Sequence, residues 1–193
     1  QKQYSRRINL DLTRINLALK KLGNIHNSIK NPINIIGSDG KFTSAISLNY
    51  FLEANKKTTT IFTSPHLVDV RHRMWLKNRF ITLNEIKKYE RIVNKTGLKL
   101  TLFEAITMIY LLAVNNQKQI DYNLVESGLL FKGDCTRLWD IPRAQVITNI
   151  NYQHQEWVVP STIEEICKQK VGYLSKNTNI YIGKQKTKVL KII

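Results

Sequence analysis

The residues best suited to chemistry lie in one short stretch, Gly37-Ser38-Asp39-Gly40-Lys41-Phe42-Thr43-Ser44, which follows the apolar run Ile33-Asn34-Ile35-Ile36. A buried strand that delivers the chain to a helix N-terminus brings unpaired N–H groups and a positive dipole end to one point, where an anion can be held. Gly37 and Gly40 permit the positive φ angles and close backbone approach that a phosphate cradle needs. Lys41 adds a point charge for β- and γ-phosphates, and the hydroxyls of Thr43 and Ser44 offer contacts to phosphate or metal. The usual pattern has four residues between the glycines and Ser or Thr directly after Lys; here the loop is shorter and Phe42 follows Lys41. By itself the stretch fits an ordinary strand-to-helix turn as well as a phosphate loop.

Three further polar residues each follow an apolar, strand-like segment: Ser64 after Thr58–Phe62, Glu126 after Ile120–Val125, and His154 after Gln145–Ile150. A phosphate loop beside a carboxylate at the end of a neighbouring buried strand is the minimal apparatus for holding Mg²⁺ and a nucleotide, because Mg²⁺ takes hard oxygen ligands and shares them with phosphates. Glu126 is the best candidate for that carboxylate. Ser64 has the simpler reading of a turn residue before Pro65, and His154 that of a surface or packing histidine.

The elements that must position these residues alternate between strand and helix. Leu12, Ile15, Leu19 and Leu22 fall at helical spacing within 8–22, with Gly23 as the stop. A helix over 42–54 packs Ala45, Leu48, Phe51 and Leu52. Pro65 forces a turn after the second strand, and a basic stretch, Arg71-His72-Arg73 through Arg79, follows it. Thr82 with Glu85, and Thr101 with Glu104, are capping boxes that start helices, the second leading into the apolar run Ile106–Val114. Residues 128–139 read as loop, Ser161 as the cap of a helix over 162–174, and Asn179–Ile182 as a fifth strand. Short apolar strands with helical crossovers predict a parallel sheet covered on both faces, with ligands outside the carboxyl ends of the strands. Lys41, Ser64, Glu126 and His154 would then meet at one rim.

The 193 residues, 42% hydrophobic, suffice for one α/β domain with a substantial core. No apolar run of about 18 residues is present to span a membrane. Cys135 and Cys167 stand alone, which argues against a disulfide framework or a zinc site and fits a reducing, cytoplasmic setting. The formal net charge of +16 raises nucleic-acid binding, yet the charge is spread along the chain. Residues 168–193 contain seven Lys and no acid but little aromatic interleaving. Lysines on solvated faces account for this more simply than a specific nucleic-acid partner.

Taken in order, these segments resemble the folylpolyglutamate synthase/dihydrofolate synthase family of Mur-type ligases, over about residues 10–185. Gly37–Ser44 is similar to the family loop Gly-Thr-Asn-Gly-Lys-Gly-Ser-Thr. Phe62-Thr-Ser-Pro-His-Leu67 reproduces a family signature, and Thr101-Leu-Phe-Glu104 resembles Thr-Tyr-Phe-Glu. Glu126–Thr136 parallels Glu-Val-Gly-Leu-Gly-Gly-Arg-Leu-Asp-Ala-Thr. Val146–Thr148, His154, Glu164–Ile166 and Lys170–Gly172 follow in family order.

The resemblance implies a three-layer α/β fold, a mostly parallel sheet flanked by helices, forming the N-terminal part of a P-loop NTPase-like Mur ligase ATPase domain. It implies an ATP- and Mg²⁺-dependent ligase that phosphorylates a carboxylate on dihydropteroate or a folate, which L-glutamate then attacks. Under it, residues 37–44 hold phosphate, with Lys41 on the β- and γ-phosphates. Ser64, Glu126 and His154 ligate the metal, Lys170 is carbamylated, and Phe103, Glu104 and Asp134 lie near the pterin. A monomer is expected. Further strands and a glutamate-binding domain would follow this chain, so the chain alone is expected to show no turnover. Departures from the family are Phe42 for a loop Gly, Leu130 and Phe131 for a Gly pair, Arg137 for Asn, Gln153 for the Asp before His154, and His72 for Glu.

Overall fold

A computed structural model describes Tyr4 and residues 8–193. At its centre is β1 (Pro32–Ile36), every residue of which is buried, as a strand covered on both faces requires. Helix α1 (Thr13–Lys21) precedes it and α2 (Lys41–Ala54) follows. The chain continues through β2 (Thr59–Phe62), β3 (Met74–Leu76), β4 (Arg79–Phe80), α3 (Leu83–Asn94) and α4 (Leu102–Asn115). Then come β5 (Tyr122–Glu126), β6 (Ala144–Ile147), α5 (Ile163–Val171), β7 (Asn179–Ile182) and α6 (Thr187–Leu190). The sheet runs β4-β3-β2-β5-β1-β6-β7, with β2, β5, β1, β6 and β7 parallel.

Alternation along the strands divides the core into layers. Ile33, Ile35, Ile61 and Leu124 meet Ala45 of α2 on one face. Phe62 and Val125 meet α1, α3 and α4 on the other, and Ile147 meets α5. Helix α4 is buried from Glu104 through Val114, the central position that its apolar run predicts. Phe62 stacks on Tyr110 at 4.9 Å and on Phe103 at 5.9 Å, tying the end of β2 to this helix. Both capping boxes form as expected, at Thr82/Glu85 and Thr101/Glu104.

Several expectations need correction. The sheet has seven strands, not five, because the basic stretch turns back as β3 and β4, both antiparallel. Met74 and Leu76 are buried while Trp75 is only partly so, a period-2 pattern masked in the sequence by the flanking arginines and lysine. The first helix begins at Thr13 rather than residue 8, since Asp11 Oδ1 accepts from the N–H and hydroxyl of Thr13 and forms an Asx turn instead. The cap of α5 is Thr162, whose hydroxyl accepts from Glu165 N–H at 3.2 Å, and not Ser161. In α2, Phe51 is 70% exposed and Asn49 is buried, because the Asn49 side chain accepts from the Thr59 hydroxyl and turns that face of the helix toward the sheet.

Candidate functional site

Beyond the carboxyl ends of the parallel strands lies a cavity of about 780 Å³ lined by Ser38–Phe42, Ser64, Arg73, Phe103, Glu104, Glu126, Asp134, Gln153 and His154. Lys41, Ser64, Glu126 and His154, scattered through the sequence, share this one rim, as the rule for open parallel sheets requires.

The loop after β1 owes its shape to two glycines. Gly37 has φ +152°, and a Cβ there would stand 2.0 Å from Thr148 Oγ1, so the β1 end and the β6 end approach too closely for any side chain. Gly40 caps α2 in the left-handed region at φ +79°. The first helical bond is Ser44 N–H to Gly40 O at 2.9 Å, which leaves the N–H groups of Lys41, Phe42 and Thr43 without intrahelical partners. The N–H groups of Ser38 and Asp39, by contrast, both donate to Asn149 O. Thr43 and Ser44 are absent from the cavity wall, whereas Phe42 is on it and 54% exposed.

Two lysines reach back under the loop. Lys41 Nζ donates to Ser38 O at 3.0 Å and Gly37 O at 3.2 Å. Lys170, fully buried in α5, donates to Gly37 O at 3.0 Å and Leu129 O at 2.6 Å. Burial lowers the pKa of Lys41 against the pull of Glu126. Burial, reinforced by the Lys41 charge, brings Lys170 down to about 7.

Glu126, 3% exposed, closes β5 and accepts from Ser64 N–H at 3.1 Å, while Lys41 Nζ stands 4.0 Å from its other oxygen. Burial pushes its carboxyl up to about 7, with the Ser64 N–H, Lys41 and Arg73 opposing the rise. His154 adopts the left-handed conformation at φ 60°, and burial together with Lys170 and Lys41 lowers its pKa. It therefore presents a neutral imidazole, the form that can ligate a metal.

The expected pterin-side residues divide. Phe103 presents its ring to the cavity and stacks on Phe62. Glu104 lies on the wall, but its carboxylate is taken up by Thr101 N–H at 2.6 Å and by the Arg14 guanidinium at 2.9 and 3.2 Å. Asp134 is similarly occupied, accepting from the N–H groups of Gly128, Leu129 and Thr136 and from the Thr136 hydroxyl. Its oxygens shape the loop after β5. Gly128 is required there, because a Cβ would meet Asp134 Oδ2 and the Phe103 ring at 2.8 Å.

Arg73 is a cavity residue that the sequence shows only as one of several basic residues. Its Nε donates to His66 Nδ1 at 2.8 Å. Asn149 and Asn151 are also new, and Gln153, noted in the sequence only as a departure beside His154, joins them in bonding Ser38 and Asp39 through pairings that no sequence spacing reveals.

Among the described residues, no group of three His, Cys, Asp or Glu could hold a metal on its own. The carboxylate and hydroxyl oxygens on the rim nevertheless suit Mg²⁺, which binds through one or two carboxylates together with water and substrate phosphates; the His154 nitrogen is the less suited third donor.

The fold and the glycine loop define an α/β protein with a mostly parallel sheet and a phosphate-loop-like turn after its central strand. In sequence the chain is similar to dihydrofolate synthases and folylpolyglutamate synthases. It is 30% identical over 202 residues to dihydrofolate synthetase of Saccharomyces cerevisiae, covering 96% of this chain and 45% of that protein. It is 28% identical over 182 residues to dihydrofolate synthase/folylpolyglutamate synthase of Escherichia coli, covering 93% and 42%. The solved structure of E. coli FolC in complex with DHPP and ADP superimposes with a TM-score of 0.87 at 24% identity, covering 98% of this chain and 46% of that one. No family model matches the chain. The chain thus spans under half the length of these relatives.

Proposed function

We propose that this chain is the nucleotide-binding part of an ATP-dependent amide ligase that joins L-glutamate to dihydropteroate or a folate through an acyl phosphate. The observation that carries the proposal is the convergence of Lys41, Ser64, Glu126 and His154 on one cavity, in a chain homologous to glutamate ligases.

ATP lies with its phosphates over the free N–H groups of Lys41, Phe42 and Thr43. Lys41 swings from the Ser38 and Gly37 carbonyls to the β- and γ-phosphates. Ser64, Glu126 and His154 would hold Mg²⁺, which when bound would supply positive charge to offset that on a transferring phosphoryl group. No protein nucleophile is required, because positioning and electrostatic stabilisation supply the catalysis. The substrate's aromatic end lies toward Phe103, beside loop walls held by Glu104 and Asp134. Lys170 becomes carbamylated: its neutral amine forms a C–N bond to CO2 and releases one proton, and the uncharged buried amine becomes an anionic carbamate able to face the metal site.

The test is calorimetric titration of the protein with ADP, with and without Mg²⁺. Binding that depends on Mg²⁺ and weakens at least about tenfold in Lys41→Ala, a loss of about 1.4 kcal/mol, is the expected result. Equal affinity in Lys41→Ala overturns the phosphate assignment. Glutamate addition is assayed separately, in the longest version of the protein.

A further inference from the structure

The phosphate loop is fastened laterally to the segment that carries His154. Ser38 N–H and Asp39 N–H donate to Asn149 O at 2.8 and 3.2 Å. The Ser38 hydroxyl donates to Asn151 O at 3.1 Å and accepts from Asn151 N–H at 3.0 Å. The Asp39 carboxylate completes the fastening, with Oδ2 accepting from Asn151 Nδ2 at 2.6 Å and Oδ1 from Gln153 Nε2 at 2.7 Å. Gly37 packed against Thr148 leaves this side of the loop no room to shift.

We propose that Asp39 is a positioning residue, a clasp that fixes the phosphate loop and His154 relative to each other by binding the Asn151 and Gln153 amides. The proposal rests on the nucleotide reading above and adds a role to a residue outside the metal set. Both oxygens of Asp39 are engaged by amide donors one to three residues before His154. Two charge-assisted bonds at 2.6 and 2.7 Å tie the exposed Asp39 carboxylate to that segment.

Asp39 and Gln153 are hydrogen-bonded to each other, so the contact holds a single carboxylate and a single amide, and exchanging the two keeps that complement while either change alone breaks it. Asp at both positions opposes two carboxylates, and amides at both positions lack the charge.

A double-mutant cycle tests the clasp, read by melting temperature and by the Kd for ADP with Mg²⁺. Gln153→Asp alone is expected to lower the melting temperature by about 3 °C and weaken ADP about tenfold. Adding Asp39→Asn restores most of both losses. Adding Asp39→Ala, which keeps the net charge but cannot bond, restores neither. Gln153→Ala, which removes one tie without repulsion, loses less and is not rescued by Asp39→Asn. Additive losses in Asp39→Asn/Gln153→Asp, or equal rescue by Asn and Ala, overturn the proposal. Failure of the unmodified protein to bind ADP overturns the nucleotide reading instead, and the melting temperatures still decide whether the clasp exists.

Discussion

Lys41 and Lys170, 129 positions apart in the chain, donate to the same carbonyl, Gly37 O, at 3.2 and 3.0 Å. Burial, reinforced by the repulsion between two ammonium groups on one oxygen, brings the more deeply buried of them, Lys170, to a pKa of about 7. At neutral pH a large fraction of Lys170 is a neutral amine.

Stability should therefore rise with pH on the alkaline side. Below about 7 the folded state buries the Lys170 ammonium and bears the full penalty. Between about 7 and the unfolded value of 10.5 the folded amine is neutral while the unfolded one keeps its proton. The unfolded state then binds more protons, so stability climbs with pH through that window. Urea unfolding at stepped pH should show this rise in the native protein, and Lys170→Met should flatten it.

A neutral buried amine next to a cation is also the species that reacts with CO2. Addition of ¹³C-labelled bicarbonate should produce a carbamate carbon resonance that is absent from Lys170→Met. A spectrum unchanged by the substitution would place any carbamate on another lysine.

Glu126→Gln should separate folding from function. Burial holds the Glu126 carboxyl near 7, so a neutral side chain of the same shape suits its surroundings and should leave the melting temperature within a few degrees of the native value. The Mg²⁺-dependent part of ADP affinity should disappear. Retention of that dependence would remove Glu126 from the metal set.

Gly37→Ala should be severe. The added methyl meets Thr148 Oγ1 at 2.0 Å and Asn149 O at 3.2 Å, at a φ of +152° that L-residues avoid. Relief requires β1 and β6 to part at their carboxyl ends. A loss of about 3 kcal/mol is expected, measurable by chemical denaturation, and Thr148→Ala should recover only part of it because the backbone clash and the φ remain.

Glu104→Gln distinguishes a wall residue from a ligand contact. The carboxylate serves the α4 cap and the Arg14 pair, so its neutralisation should cost about 2 kcal/mol of stability while leaving the affinity for a pterin-bearing ligand such as dihydropteroate unchanged. The melting temperature and a calorimetric titration give the two numbers.

Much of this protein was legible in one dimension where the physics is local. The β1 run reads as a doubly covered strand because all of its residues are apolar or buried, the two capping boxes are four-residue events, and the rim positions follow from strand ends in a parallel sheet. Antiparallel β3 was not legible, since its apolar alternation lasts three residues and is flanked by charge. The partners of Glu104 and Asp134 were hidden for a different reason: a carboxylate that shapes a loop and one that binds substrate have the same side chain.

The sequence by itself determined the order of the parallel strands and longer helices, the glycine loop and the set of polar residues at strand ends, because hydrophobic period, caps and positive-φ glycines act over a few neighbours. Only the tertiary structure decided which donors and acceptors are left free. Asn149 takes two loop N–H groups, Gly37 O collects Lys170 beside its neighbour Lys41, and Asp39 finds Asn151 and Gln153, each but the Lys41 contact across more than a hundred residues. Hydrogen bonds and buried charges are settled by proximity in space, and the packing of β1 against β6 creates that proximity.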